Sequence, residues 1–597
     1  MPSPQSRVEH VTGIRLPFEV EVREGEGLHV RLKDGHAIIE ASEPTAVARG
    51  YFLLSRAVKE GRETLDERQT RHFASLGPML DMSRNAVLRV SAVKSHIDRI
   101  ASLGMNMLML YTEDTYEVPE YPGFGVLRGR YSQAELRELD AYAREAGVEL
   151  IPCVQTLAHL GTFLRWGVNG ELRDQNTILM IDDDETYRLI DAMIRSLRSC
   201  FSTHRIHIGM DEAHGVGLGR YLEQHGMVDR FELLSRHLER VTEICKNYDF
   251  HPMMWSDMFF RLGSKNGEYY DIEAHIPQSV IDHLPDVDMV YWDYYHESED
   301  LYDAMLREHA RMGRNTIFAG GNWTWSGFVP CAKKTHDSMI PALRVCCRRG
   351  VDTVIATEWG DDGAETPLCL ADFQLPMFSE ICWQGPDVSE EEMTSAGMCL
   401  TGFPADYPDI CSAFYPSYIE RGKGLIYCDL LLPLMPMDGI PISDFADHLH
   451  TALQKMAALP DGLEKLYLTR LYTAAELKAL FMVRLRQLYT QSKVTGNREE
   501  LGIMADEDIH VLYDAYHDLM LAHRALWMRD NKPQGWELIS LRYGGVMGRF
   551  EDVALALRSY EKNEIDVIDA LEEVLPEGYN PGGSFYSVTT AGASMYD

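Results

Sequence analysis

The chain has 597 residues, 92 of them acidic and 57 basic, for a formal net charge of -35. A surface of that sign repels phosphate, which excludes nucleic acid and anionic membrane as partners. No apolar stretch reaches the roughly 18 residues needed to span a bilayer, and MPSPQSRVEHVTGIRL lacks the basic-then-apolar order of a secretory signal, so a cytoplasmic protein is expected. The 11 cysteines are odd in number and scattered without C-x-x-C spacing, so reduced thiols are expected, and neither a disulfide frame nor a zinc site.

Residues 1–73 read as a small α+β domain, with β-like runs PFEVEVRE and LHVRLKDGHAIIEAS before the helical stretch AVARGYFLLSRAVKEG. From 74 to 385 strand-length apolar runs alternate with amphipathic helical stretches. The runs lie at 79–83, 105–114, 148–154, 205–212, 251–257, 288–295, 315–321 and 352–359. Eight β-α units over this length predict a (β/α)8 TIM barrel. A doubly wound sheet is the alternative, but no glycine-rich phosphate fingerprint follows the first strand. Residues 386–597 predict an α-helical carboxyl-terminal domain, with helices at 463–494, 505–529 and 535–560. The Leu, Tyr and Met stripe of 463–494 is expected to be core or the interface of a possible homodimer, and 581–597 a loosely held tail.

Active sites of such barrels form at the carboxyl ends of the strands. Those ends carry Asp81 and Arg84, Glu113 and Asp114, Asp211 and Glu212, Trp255 and Asp257, Trp292, Asp293, Tyr294 and Tyr295, then Glu358, Trp359 and Asp361. Trp323 and Trp325 follow the seventh strand, so five of the nine tryptophans stand beside carboxylates at one rim. That combination suits a sugar, whose C–H face packs on indole while acids and an arginine bind its hydroxyls. Asp211 and Glu212, adjacent at the fourth strand end, invite a division between a charged group and a proton donor. A helix-capping acid pair is the plainer reading of that stretch alone.

The series resembles glycoside hydrolase family 20, the β-N-acetylhexosaminidases. The family's H-x-G-G-D-E matches His207-Ile208-Gly209-Met210-Asp211-Glu212, with Met210 for the second glycine. Its Asp followed three residues later by Arg matches Asp81 and Arg84. Its P-E-x-D-x-P-G-H matches at Pro152 and His159, with Cys153 and Gln155 in place of the two acids, and its W-x-E matches Trp359-Gly360-Asp361 with Asp for Glu. The resemblance covers residues 75–365, and the helical carboxyl-terminal domain marks a divergent branch.

The resemblance implies substrate-assisted catalysis, an exception to the two-carboxylate scheme of most glycosidases. The substrate's own 2-acetamido oxygen attacks the anomeric carbon, and an oxazolinium intermediate is opened by water with retention. Glu212 is implied to protonate the leaving oxygen and then act as base, which burial against aromatic side chains and the charge of Asp211 would favour. Asp211 is implied to hold the acetamido N–H. Arg84 is implied to bind O3 and O4, and Asp361 O4 or O6, with Glu113 and His159 also at the substrate; His159 and His207 either orient the acids from behind or are satisfied core histidines. Tyr294 would bond the acetamido oxygen; a one-residue bulge would hand that role to Tyr295. Trp255, Trp292, Trp325 and Trp359 would wall the acetamido pocket. The expected substrate is a small oligosaccharide or glycoconjugate with a non-reducing terminal N-acetylhexosamine, with no cofactor and no metal.

Two rivals remain. A metal-dependent barrel hydrolase would use His159, His207, Asp211 and His214, although no H-x-H pair marks the first strand. A sugar-binding protein without catalysis is the other, which the Asp211-Glu212 pair opposes. The run Asp182-Asp183-Asp184 reads as a solvated loop leading to a helix cap, and not a calcium site.

Overall fold

The computed structural model describes residues 2–415, 422–432 and 442–573; the tail at 581–597 lies outside them. Eight parallel strands close into a barrel: β1 (Ser75–Asp81), β2 (Met107–Tyr111), β3 (Glu149–Cys153), β4 (Arg205–His207), β5 (His251–Trp255), β6 (Asp288–Trp292), β7 (Thr316–Gly321) and β8 (Thr353–Glu358). Each overlaps one of the eight apolar runs of the sequence. β8 returns to β1 in register from Thr353↔Ser75 to Glu358↔Leu80, so the sheet has no open edge.

Alternation along the strands divides their side chains between two cores. Met79, Met109, Met253 and Ile355 belong to the core inside the barrel, whereas Leu80, Leu108, Met254 and Val354 pack under the surrounding helices. At Gly77 a Cβ would stand 1.6 Å from the Met107 carbonyl oxygen, so only glycine lets β1 and β2 approach this closely. The acidic run after β3 is a helix cap. Asp183 accepts the Glu185 N–H at 2.8 Å and opens the helix Asp184–Arg198.

The amino-terminal sheet has strands Val20–Arg23, Leu28–Lys33, His36–Glu40 and Leu65–Gln69, in the spatial order first, third, second, fourth. A helix at Pro4–Thr12, which the sequence reading did not include, precedes it, with Ser3 as its cap and proline in its first turn. Arg49 on the helix Pro44–Lys59 is fully buried. Its guanidinium forks onto Glu380 of the helix Leu375–Gln384, Nη1 to Oε1 at 3.1 Å and Nη2 to Oε2 at 2.8 Å. That pair ties the amino-terminal layer to the end of the barrel.

The main carboxyl-terminal helices are Ile442–Lys455, Leu463–Thr495, Ile509–Asp530 and Trp536–Glu561. The apolar stripe of the second is core: Tyr467, Leu468, Leu471, Tyr472 and Leu485 are all buried. One of its basic residues is not on the outer face. Lys478 is fully buried and donates to the carbonyl oxygens of Ile426 (2.9 Å) and Cys428 (2.6 Å), satisfying the end of the helix Gly422–Tyr427. The barrel interior and these helices share one apolar core, joined through Phe328 and Val329 after β7 and Leu370 after β8. All the cysteines are unpaired. Among the described residues no helix is long and apolar enough to cross a membrane.

Candidate active site

A cavity of about 860 Å³ opens among the loops that follow the strands. Arg84, Glu113, His159, Asp211, Glu212, Trp255, Trp292, Tyr294, Trp325, Trp359 and Asp361 all line it. So do Gln175, Asn176, Thr177 and Ile178, from a small hairpin (Arg173–Gln175 with Ile178–Leu179) inserted after β3, which the sequence reading missed.

β4 stops at His207, five residues before the end of its apolar run, and this early stop shapes the site. Gly209, Met210 and Glu212 take left-handed φ values of 72°, 74° and 50°. In an extended strand Asp211 and Glu212 would point to opposite faces. The left-handed turn breaks that alternation, and both carboxylates line the same cavity. A Cβ at Gly209 would lie 2.2 Å from Gln155 Oε1, so that glycine is required by space as well as by φ. Met210 holds a left-handed conformation without that freedom, a local strain of about 1–3 kcal/mol.

The two acids have different surroundings. Asp211 Oδ1 accepts from Gln155 Nε2 at 2.6 Å, and His159 Nε2 faces Asp211 Oδ2 at 3.2 Å. Burial opposes the charge of Asp211, but His159 and the Gln155 hydrogen bond outweigh it and hold the carboxyl below the usual carboxylate range. Burial likewise opposes a charge on His159, yet the Asp211 carboxylate prevails and pushes its imidazole up to about 9. Glu212 Oε2 lies 3.6 Å from His159, and Tyr269 donates to Glu212 Oε1 at 3.3 Å. The Glu212 side chain is 39% exposed, a departure from the expected burial against aromatic rings, because it projects into the open cavity.

Asp257, just past β5, lies beneath the pair and accepts the Glu212 backbone N–H at 3.0 Å. Burial, reinforced by the charges of Asp211 and Glu212, raises its carboxyl well above the usual range. By sequence Asp257 stands at a strand end with no assigned role. Its signal was the Trp255-Ser256-Asp257 cluster, while Tyr269, in a loop without motif, carried none.

A polar chain links the pair to the opposite wall. Gln155 Nε2 donates to the Tyr111 hydroxyl (2.8 Å), which donates to Glu113 Oε1 (3.1 Å), and Arg84 Nε stands 3.5 Å from that oxygen. The Arg84 guanidinium lies over the rings of Tyr111 and Trp359, 4.8 and 5.1 Å from their centroids. Burial pushes Asp361 up to about 6, against the pull of Arg84. Trp292 stacks on Tyr294 (5.3 Å, 25°), and Tyr294 meets Trp325 edge-on (5.5 Å). Tyr294 is buried whereas Tyr295 is exposed, and both line the cavity.

Other strand-end residues do not reach it. Asp114 pairs with Arg128 (2.7 Å), Asp293 accepts from the Tyr291 hydroxyl (2.7 Å), and Glu358 is buried against Asn322 (2.8 Å). Trp323 stacks behind Trp325 at 4.2 Å. Among the described residues the one cluster close enough to share a metal ion is His159, Asp211 and Glu212. His207 and His214 of the metal-site reading stand outside it. His207 is buried against Trp255, where burial pushes it down to about 3, and its Nδ1 accepts the Gly209 N–H. His214 bonds the Tyr269 hydroxyl.

Against this geometry, the profile of the glycosyl hydrolase family 20 catalytic domain matches residues 73–279, and that of the glycoside hydrolase 20C C-terminal domain matches residues 416–581. The chain belongs to glycoside hydrolase family 20. Beta-hexosaminidase 3 of Arabidopsis thaliana is 24% identical over 211 residues, covering 32% of this chain and 38% of that protein. Hexosaminidase D of Homo sapiens is 27% identical over 223 residues, covering 35% and 43%. The chain therefore spans about two fifths of the length of these relatives. Among solved structures, the GH20 β-N-acetylhexosaminidase from Streptomyces coelicolor A3(2) aligns with a TM-score of 0.48 and 18% identity, over 67% of this chain and 89% of that one. Set beside the family's strand-4 motif, Met210 occupies a left-handed position where the motif has glycine.

Proposed function

We propose that this chain is an exo-acting, retaining β-N-acetylhexosaminidase that removes terminal β-linked N-acetylglucosamine or N-acetylgalactosamine by substrate-assisted catalysis. The observation that carries the reading is the pairing of Asp211 and Glu212 on one cavity wall in unlike surroundings. Asp211 is clamped by Gln155 and His159 and negative, suited to a fixed acceptor for the acetamido N–H and to the positive charge that grows on that group. Glu212 projects into open space, where a leaving oxygen and then a water can reach it. In this scheme Glu212 gives its proton to the glycosidic oxygen as the C1–O bond breaks and the acetamido oxygen bonds C1. Glu212 then takes a proton from water as the water's oxygen bonds C1 and the oxazolinium ring opens.

Membership of family 20 and the hexosaminidase names of the relatives support this reading. Arg84 and Asp361 are the proposed ligands of the far hydroxyls, and Tyr294 of the acetamido oxygen, with the tryptophans around the sugar. The substrate is a small oligosaccharide or glycoconjugate, cut one residue at a time.

The test is nitrophenol release from 4-nitrophenyl N-acetyl-β-glucosaminide by wild type and Glu212→Gln, with a thiazoline mimic of the intermediate as inhibitor. Turnover that collapses in the variant and is blocked by the thiazoline is expected. Turnover insensitive to the thiazoline would keep a glycosidase but remove substrate assistance. The His159-Asp211-Glu212 cluster keeps a metal-dependent hydrolase as the second reading; a His159 that holds its proton is a poor ligand, and loss of activity on chelation, restored by zinc or manganese, would favour that reading instead.

A further inference from the structure

The loop that carries Asp361 is strained and anchored from outside the barrel. Asp362 and Ala364 take φ values of 65° and 57°, a conformation costly for residues with a Cβ and kept only where the surroundings impose it. Those surroundings come from the carboxyl-terminal domain. The Lys423 ammonium, 1% exposed, donates to the Asp361 carbonyl oxygen and pairs with Glu365 Oε2 at 2.9 Å. Arg542 Nη1, also buried, pairs with Glu365 Oε1, and the Tyr427 hydroxyl donates to the same oxygen at 3.2 Å. Asn85, next to Arg84, donates to the carbonyl oxygens of Gly363 (3.0 Å) and Gly535 (2.9 Å), joining the β1 loop, the β8 loop and the start of the helix Trp536–Glu561. A buried acid on the loop, held by two buried cations of another domain, fixes the loop's position more tightly than its own backbone does.

We propose that Lys423 and Arg542 are positioning residues for the Asp361 carboxylate and, through it, set the enzyme's grip on the far hydroxyls of the terminal sugar. This rests on the hexosaminidase reading above. It gives the carboxyl-terminal domain a part in recognition without any contact with the substrate. Asp361 is one atom shorter than the glutamate of the family motif, so its carboxyl reaches the sugar only if its backbone is held at the right place. The charged and titratable groups facing Asp361 are Arg84 and Asp81 from the β1 end, Asp362 from its own loop and Lys423 from the carboxyl-terminal domain. Lys423 also lowers the pH at which Asp361 takes up a proton.

The experiment is a double-mutant cycle on 4-nitrophenyl N-acetyl-β-glucosaminide with Lys423→Met, Asp361→Ala and both together, in the full chain. Lys423→Met is expected to raise KM about tenfold with kcat within about threefold, and to move the acid limb of kcat/KM to higher pH. In the Asp361→Ala background the same change should leave KM within about twofold. Should Lys423→Met fail to fold, Tyr427→Phe, which removes one hydroxyl, carries the same cycle at a two- to threefold amplitude. Penalties that add, or a KM that stays at the wild-type value in the single variants, would overturn the proposal while the activity stands. Absence of wild-type turnover on this substrate and on its galacto analogue would overturn the hexosaminidase reading and this inference with it.

Discussion

Gln155 meets Asp211 amide to carboxylate, with Gln155 Nε2 2.6 Å from Asp211 Oδ1. The other end of the amide accepts the Met210 N–H at 3.1 Å, which fixes the direction in which the amide points. An acid occupies this place in the family motif that the chain resembles. Here a neutral donor leaves Asp211 free of a like-charged neighbour on that side and bonds its ionised form directly.

Gln155→Glu should therefore lower kcat/KM by about 10- to 100-fold, the worth of roughly one to two pKa units of lost stabilisation. The variant keeps the acceptor for Met210, so its fold should survive and the loss should sit in the chemistry. Steady-state kinetics with the aryl substrate check it; wild-type activity would mean that Asp211 does not depend on the amide.

His159 gives the site an alkaline boundary. Its folded pKa, about 9, lies above the ordinary histidine value of 6.5, so its contribution to stability is complete below pH 6.5 and is lost as pH rises through 9. Above that pH Asp211 loses its counter-charge. Both kcat/KM and Tm should fall between pH 8 and 10, and the Tm difference from His159→Asn should shrink over the same range. A difference that stays flat across it would show that His159 is neutral.

Asp257 supplies a sharper contrast. Burial and the neighbouring charges of Asp211 and Glu212 favour the protonated form of Asp257, which an amide mimics, so Asp257→Asn should keep activity within about threefold of wild type. Asp257→Ala leaves the Glu212 N–H without its acceptor, which costs about 1–3 kcal/mol and on the order of 10- to 100-fold in kcat if the loss falls on the reacting state. Equal losses in the two variants would place a charge on Asp257.

The buried Arg49–Glu380 pair governs stability far from the chemistry. Arg49→Leu should destabilise the fold by about 3–5 kcal/mol, because Glu380 keeps a charge with no bidentate partner. Arg49→Leu with Glu380→Leu should cost less than either single change, as urea denaturation would show. A double variant as unstable as the sum of the two would place the importance of the pair elsewhere.

Much of this was legible in the linear chain. Strands announced themselves as short apolar runs, and carboxylates with tryptophans marked the rim that lines the cavity, because both signals depend on residues close in sequence. Asp211 and Glu212 were visible as a pair, and Cys153 and Gln155 as departures from the motif. Lys478, a base on a long helix, is a buried cap that no sequence signal marks, since helical spacing says nothing about how many sides of a helix are covered.

Periodicity and strand-end position, both local properties, were enough to specify the barrel, its helical partner domain and the residues gathered at the rim. The three-dimensional fold was needed to reveal the left-handed turn at Gly209, Met210 and Glu212 that brings both acids into one cavity. It alone set Asp257 beneath them and ran Lys423 and Arg542 across a domain boundary to the Asp361 loop. Those outcomes depend on which distant groups are desolvated together, and a buried charge finds its partner by closeness in space and not along the chain.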